Sequence, residues 1–102
     1  MSSPRIEALL IDDENEDKIT SHGLSVSQVL QVLDDVHLVL RNRKKRRGLY
    51  LIIGRDNGGA CISVPVERTG EATVWRPITA WPCKPHERTL LERRGRWSET
   101  AN

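Results

Sequence analysis

The chain has 102 residues, enough for one domain with a modest core and too few for two. Hydrophobic residues make up 37% and charged residues 29%, and mean hydropathy is −0.50. No apolar run approaches the roughly 18 residues that span a bilayer. Met1-Ser2-Ser3-Pro4-Arg5 carries no apolar stretch followed by a small-residue cleavage site. The expectation is therefore a cytoplasmic protein with no membrane partner.

The net charge of +2 conceals a segregation. Residues 7–17 carry Glu7, Asp12, Asp13, Glu14, Glu16 and Asp17 and no cation. Residues 41–47 read Arg-Asn-Arg-Lys-Lys-Arg-Arg, six cations in seven positions. Residues 84–96 add Lys84, Arg88, Arg93, Arg94 and Arg96 against Glu87 and Glu92. Such asymmetry speaks to partners more than to fold, and nucleic acid is the first candidate.

In chain order, Ile6–Ile11 is a short apolar run between a proline and an acidic cluster, and is predicted as a first strand. Asp12-Asp13 offers an N-cap, the acids that follow suit the helix dipole, and the helix should run from about residue 14 to 22, with Gly23 after its end. Ser25-Val26-Ser27-Gln28 is a capping box, Leu24 and Val29 can form a hydrophobic staple, and Val26, Val29, Leu30 and Leu33 make one buried stripe. Asp34-Asp35 should end this second helix. The period then changes to two through Val36, Leu38 and Leu40.

After the basic run, Leu49–Gly54 is a dense apolar strand. Asn57-Gly58 supplies positive φ in a turn, and Ala60–Val66 is a strand whose Pro65 suggests an edge. Thr73–Ala80 is a last strand, and Pro85 suits the first turn of a helix ending near Arg94-Gly95. The order β-α-α-β-β-β-β-α implies an α+β domain over residues 1–95, with a frayed tail over 96–102. Its sheet should be an antiparallel meander, with two N-terminal helices and one C-terminal helix covering one face.

Cys61 and Cys83 belong to no C-x-x-C pair, so zinc is not expected and both are read as plain thiols. No other metal or cofactor is expected either. The basic run, with Arg41, Arg43, Lys44, Lys45, Arg46 and Arg47, suits phosphates, and its bland alternative is a solvated loop guarding a sheet edge. Trp75 and Trp81 lie either side of Arg76, and either could stack a base or pack under a helix. His22 ends the first helix and can meet its last carbonyls. His86 and Glu87, beside Lys84, form either an acid–base pair or an ordinary helix start.

Several segments resemble BrnT-type toxins. Asp17-Lys18-Ile19-Thr20-Ser21-His22-Gly23-Leu24-Ser25 is similar to that family's K-x-x-x-H-G-V-S, and Tyr50-Leu51-Ile52-Ile53-Gly54 to its aromatic-apolar strand closed by I-G. Ile78-Thr79-Ala80-Trp81-Pro82-Cys83, with Glu87, is similar to I-S-A-R-x-A-x-x-x-E. The likeness covers about residues 6–93. It implies a RelE/ParE-like fold and the toxin half of a type II toxin–antitoxin pair. It implies a metal-independent ribonuclease, neutralised by a cognate antitoxin through whose complex operator DNA is met, with a homodimer also open. His22 and Glu87 match the family's histidine and glutamate. The family's I-S-A-R arginine falls on Trp81, its early-helix lysine on Glu14, and the arginine before its aromatic strand near Leu49. Arg46, Arg47, Arg55 and Arg76 are the candidates to replace those cations. The catalytic candidates are thus Arg46, Arg47, Arg76, His86 and Glu87. The nucleic-acid-binding candidates are Arg41, Arg43, Lys44, Lys45, Arg55, Trp81 and Lys84. The alternative function is a non-catalytic module of the same fold that binds RNA, DNA or protein.

Overall fold

The computed structural model describes residues 4–42 and 48–101, with side chains through residue 94. Strand β1, Ala8–Leu9, leads into helix α1, Asp13–Ser21. Asp12 caps α1 by accepting from the Asn15 N–H at 2.9 Å, while Asn15 Oδ1 accepts from the Asp12 N–H at 2.9 Å. Asn15 is fully buried, and its Nδ2 donates to the Leu10 carbonyl at 3.0 Å and the Pro77 carbonyl at 2.9 Å. One side chain thereby caps the helix and ties its start to Pro77, 62 residues further along the chain.

Helix α2, Val26–Gln31, has the expected capping box, with Gln28 N–H donating to Ser25 Oγ at 3.1 Å and Ser25 N–H donating to Gln28 Oε1 at 2.9 Å. Its apolar stripe differs from the expectation. The chain tightens after Gln31 into a 3₁₀ turn, Val32–Asp34, where the period is three. Val29 and Val32 are therefore the buried pair, while Leu30 is 41% exposed.

Strands β2 (His37–Arg41), β3 (Tyr50–Arg55), β4 (Cys61–Arg68) and β5 (Val74–Pro77) form an antiparallel meander, as expected. A further short strand, β6 (Trp81–Pro82), pairs with β4 beyond the end of β5. The sheet order is β1-β5-β4-β3-β2. Two expectations are corrected here. The sheet is mixed, because β1 runs parallel to β5 through Ala8↔Val74 and Leu9↔Trp75. The predicted strand 73–80 is broken into β5 and β6.

Pro65 lies inside the sheet, not at an edge. The Leu49 N–H donates to the Val66 carbonyl, so Val66 faces β3 and Pro65 faces the other way. There it meets the junction of β5 and β6, and its carbonyl accepts from the Ile78 N–H at 2.9 Å. The donor that proline lacks falls where no continuous strand would use it. In the β3–β4 turn the positive φ sits at Gly59 (89°), not at Asn57-Gly58. Asp56 Oδ1 organises that turn by accepting from the Gly58 and Ala60 N–H groups, each at 2.9 Å.

The helices cover both faces, correcting the one-sided expectation. Ile52 and Ile53 are adjacent in β3, point to opposite faces and are both fully buried. Ile52 joins Leu9, Ile19, Val29, Val64 and Trp75 in the core. Ile53 joins Leu91 of helix α3, Pro85–Ala101, in a second cluster with Cys83. Helix α3 continues past Gly95, where the sequence suggested an end.

The cysteines are also corrected. Cys61 and Cys83 form a disulfide with Cα atoms 5.2 Å apart. The pairing Ile62↔Pro82 and Ser63↔Trp81 makes 61 and 83 the next cross-strand pair, and the Cys83 N–H donates to the Cys61 carbonyl at 3.0 Å. Strand register thus joins two thiols 22 residues apart in sequence. No helix among the described residues is long and apolar enough to cross a membrane.

Candidate functional site

A cavity of about 420 Å³ lies where the end of α1 meets the β5–β6 connection, lined by Lys18, His22, Asn42, Pro65, Ile78, Thr79 and Trp81. A neighbouring cavity of about 250 Å³ shares Asn42 and Trp81 and is also lined by Arg41, His86 and Glu87. The chain leaves both at Asn42 and enters the basic run. Arg43, Lys44, Lys45, Arg46 and Arg47 lie outside the described residues.

His22 is the C-cap of α1, and its ring Nδ1 lies 3.1 Å from the Lys18 carbonyl and 3.2 Å from Thr79 Oγ1. A carbonyl only accepts, so the contact with Lys18 is a hydrogen bond when Nδ1 carries a proton. This bond meets the sequence expectation that His22 satisfies a helix carbonyl. The ring is nevertheless exposed and lines the larger cavity.

Trp81 stands between the two cavities. Its Nε1–H donates to Glu87 Oε1 at 3.1 Å, and Lys84 Nζ sits 5.6 Å from its ring centroid. Glu87 is 4% exposed. The same Oε1 accepts from Ser63 Oγ at 2.9 Å and from the Lys84 N–H at 2.7 Å. The latter bond is the half capping box foreseen at the start of α3. Glu87 therefore holds Trp81, β4 and the first turn of α3 together. None of these three partners is His86, which is exposed at the rim of the smaller cavity.

Arg76 is committed elsewhere. Its Nε donates to Asp12 at 2.6 Å, Nη1 to Glu67 at 2.8 Å and Nη2 to Glu14 at 3.1 Å. The Arg76 bond, and next the Asn15 N–H, hold the Asp12 carboxyl below the usual carboxylate range. The same bond to Asp12 pushes the guanidinium further up. Glu14 is part of this network. Carboxylates thus accept four hydrogen bonds from the Arg76 guanidinium, which ties β5 to the start of α1.

The remaining candidates divide. Arg41 stacks over Tyr50 at 5.6 Å and faces the smaller cavity. Arg55 ends β3 at the side away from Tyr50, about 17 Å along the strand, and lies apart from both cavities. Trp75 is buried in the core, edge-on to Tyr50 with centroids 5.4 Å apart, so its packing reading holds. The sequence reading placed neither Lys18 nor Thr79 among the site residues, although both sit inside the quoted motifs. Asn42 carried no signal beyond its place in the basic run. No cluster of His, Cys, Asp and Glu suited to a metal ion occurs among the described residues.

The class that fold and site define is a mixed α+β domain, with a six-stranded sheet, three helices and a cleft at one end of α1. No protein-family model matches the chain, and no curated protein does.

Proposed function

We propose that this protein is an RNA-binding module of the RelE/ParE-like kind, the toxin half of a toxin–antitoxin pair, with the cleft as its RNA site. One observation carries the reading. Lys18 and His22 come from one segment that resembles BrnT-type toxins, Ile78 and Thr79 come from another, with Trp81 at that segment's arginine position, and all five line the same cavity. Segments some 55 residues apart in sequence thus supply one surface. The cleft shares Asn42 and Trp81 with the neighbouring cavity, which Arg41 lines, so phosphates following it would meet a cation there. Cleavage would use His22 as the base toward a 2′-hydroxyl, whose oxygen attacks phosphorus as the bond to the 5′-oxygen breaks and water protonates that leaving oxygen, with Lys18 offsetting the phosphate charge. A cognate antitoxin would cover this cationic face, and operator DNA would be met only through that complex.

A second reading, the same module without cleavage, is favoured by two observations. The Arg76 guanidinium is occupied by three carboxylates, and an indole stands where the family has an arginine. Induction of the protein alone in a bacterial host, with total RNA inspected for new 5′ ends, separates the two. Growth arrest with discrete ends supports the nuclease. Salt-dependent RNA binding by the purified protein with intact cellular RNA supports the module. Absence of both effects overturns the RNA reading.

A further inference from the structure

We propose that the larger cavity is a nucleobase pocket, taking one unpaired base of single-stranded RNA laid against the indole of Trp81. The inference deepens the RNA reading above and rests on it.

The chemistry of the walls comes first. A groove that only tracks phosphates needs cations along its length. This cavity is walled by Trp81, Pro65 and Ile78, with Lys18, His22, Asn42 and Thr79 as its polar points. Its volume of about 420 Å³ lies within the roughly 300–1,000 Å³ typical of small-ligand sites, which share this mix of apolar wall and sparse polar groups. A flat aromatic wall with a few hydrogen-bonding groups at its margin is the environment that a splayed base seeks.

The second observation is that Trp81 is already fixed. Its N–H is held by Glu87, and Glu87 is held by Ser63 and the Lys84 backbone. The Lys84 ammonium lies over the ring. An indole fixed in this way loses little rotamer freedom when a base stacks on it.

Charge is the third. Lys18 lies in the wall itself, its side chain 38% exposed, and Arg41 lines the neighbouring cavity. Phosphates on either side of a bound base therefore have one cation within the site and another in the cavity beside it. A duplex keeps its bases stacked and its edges in grooves, so only an unpaired strand can place a ring here.

The test uses the full-length protein and four probes of equal length: oligo(U), oligo(A), an abasic strand and an RNA duplex, at fixed salt. The expected result is that both oligonucleotides bind at least tenfold more tightly than the abasic strand or the duplex. Trp81→Leu should remove that difference, while Trp81→Phe should keep most of it. The comparison of intact and abasic strands needs no variant, so it stands even if Trp81→Leu fails to fold. If all four probes bind alike and in a salt-dependent way, the base pocket is overturned and the RNA reading survives. If none binds, both fall, and the cleft is left to a protein side chain.

Discussion

Glu87 Oε1 is the single acceptor on which Trp81 Nε1–H, Ser63 Oγ–H and the Lys84 N–H converge, at 3.1, 2.9 and 2.7 Å. A buried oxygen with three donors organises everything around it, because removing it strands all three. Glu87→Ala should cost about 2–3 kcal/mol of stability and free the indole to turn. Glu87→Gln keeps a carbonyl oxygen and should cost less. Urea unfolding of both variants measures the first effect, and a red shift of tryptophan emission in the folded state reports the second. Equal stability of Glu87→Ala and the parent protein would contradict this role.

The Cys61–Cys83 bond closes a loop of 22 residues, for which the chain-entropy account gives about 3 kcal/mol. Reduction, or Cys61→Ser with Cys83→Ser, should lower thermal stability by that order. The fold should persist, because the β4–β6 pairing and the Ser63–Glu87 bond remain. Thermal unfolding with and without reductant, with thiols counted by alkylation in the folded state, checks it. Two reactive thiols in the untreated protein would show that the bridge is not formed.

These two relationships mark where sequence reading stopped. The Ser25–Gln28 box, the Asp12 cap and the break before Gly23 were legible because each is settled by residues within one turn of helix. The parallel pairing of β1 with β5 was not, since nothing in Ala8-Leu9 names its partner 66 residues on. The disulfide was missed for the same reason: it follows from the register Ile62↔Pro82. Arg76 looked like a free cation because Asp12 and Glu14, more than 60 residues away, are brought to it only by folding. In the cleft, His22 and Trp81 stood out by type and motif. Lys18 and Thr79 looked like ordinary surface residues until the two segments met.

The Arg76 network makes a pH prediction. The Arg76 bond lowers the Asp12 pKa in the folded state from its ordinary 3.8. A depressed carboxyl contributes stability above its unfolded pKa and loses it as pH falls through the folded value. Stability from this source should thus be intact at neutral pH and decline below about pH 4. Arg76→Met should lower the melting temperature near pH 7. The gap to the parent protein should narrow as pH falls toward 2. A gap that stays constant over that range would separate Asp12 ionisation from the stability Arg76 provides.

Gly54 packs β3 against the 3₁₀ turn so closely that an added Cβ would lie 2.6 Å from Val32 Cγ1 and 3.0 Å from His37 Cβ. Val32 is fully buried and has no room to retreat. Gly54→Ala should therefore cost about 1–3 kcal/mol through overpacking, with the sheet intact by circular dichroism. Val32→Ala in the same chain should recover part of that loss, because it removes the atom in conflict. Losses that simply add in the double variant would place the strain elsewhere.

Lys18 offers the most direct measure of whether RNA passes through the cleft. It extends from α1 into the cavity wall, four residues before His22, and its one ion pair among the described residues, with Glu14, is long at 3.9 Å. An ammonium so weakly engaged is open to a phosphate. Replacing it should remove about one phosphate contact, reducing the slope of log affinity against log salt by roughly 0.7 for a single strand. Arg93, exposed on α3, carries the same charge away from both cavities and serves as the comparison. Titrations of oligo(U) at four salt concentrations should show the reduced slope for Lys18→Ala and a parental slope for Arg93→Ala. Matching slopes for the two variants would mean that the strand responds to overall charge and follows no path through the cleft. A parental slope for Lys18→Ala alone would move the phosphate path to the basic segment 41–47.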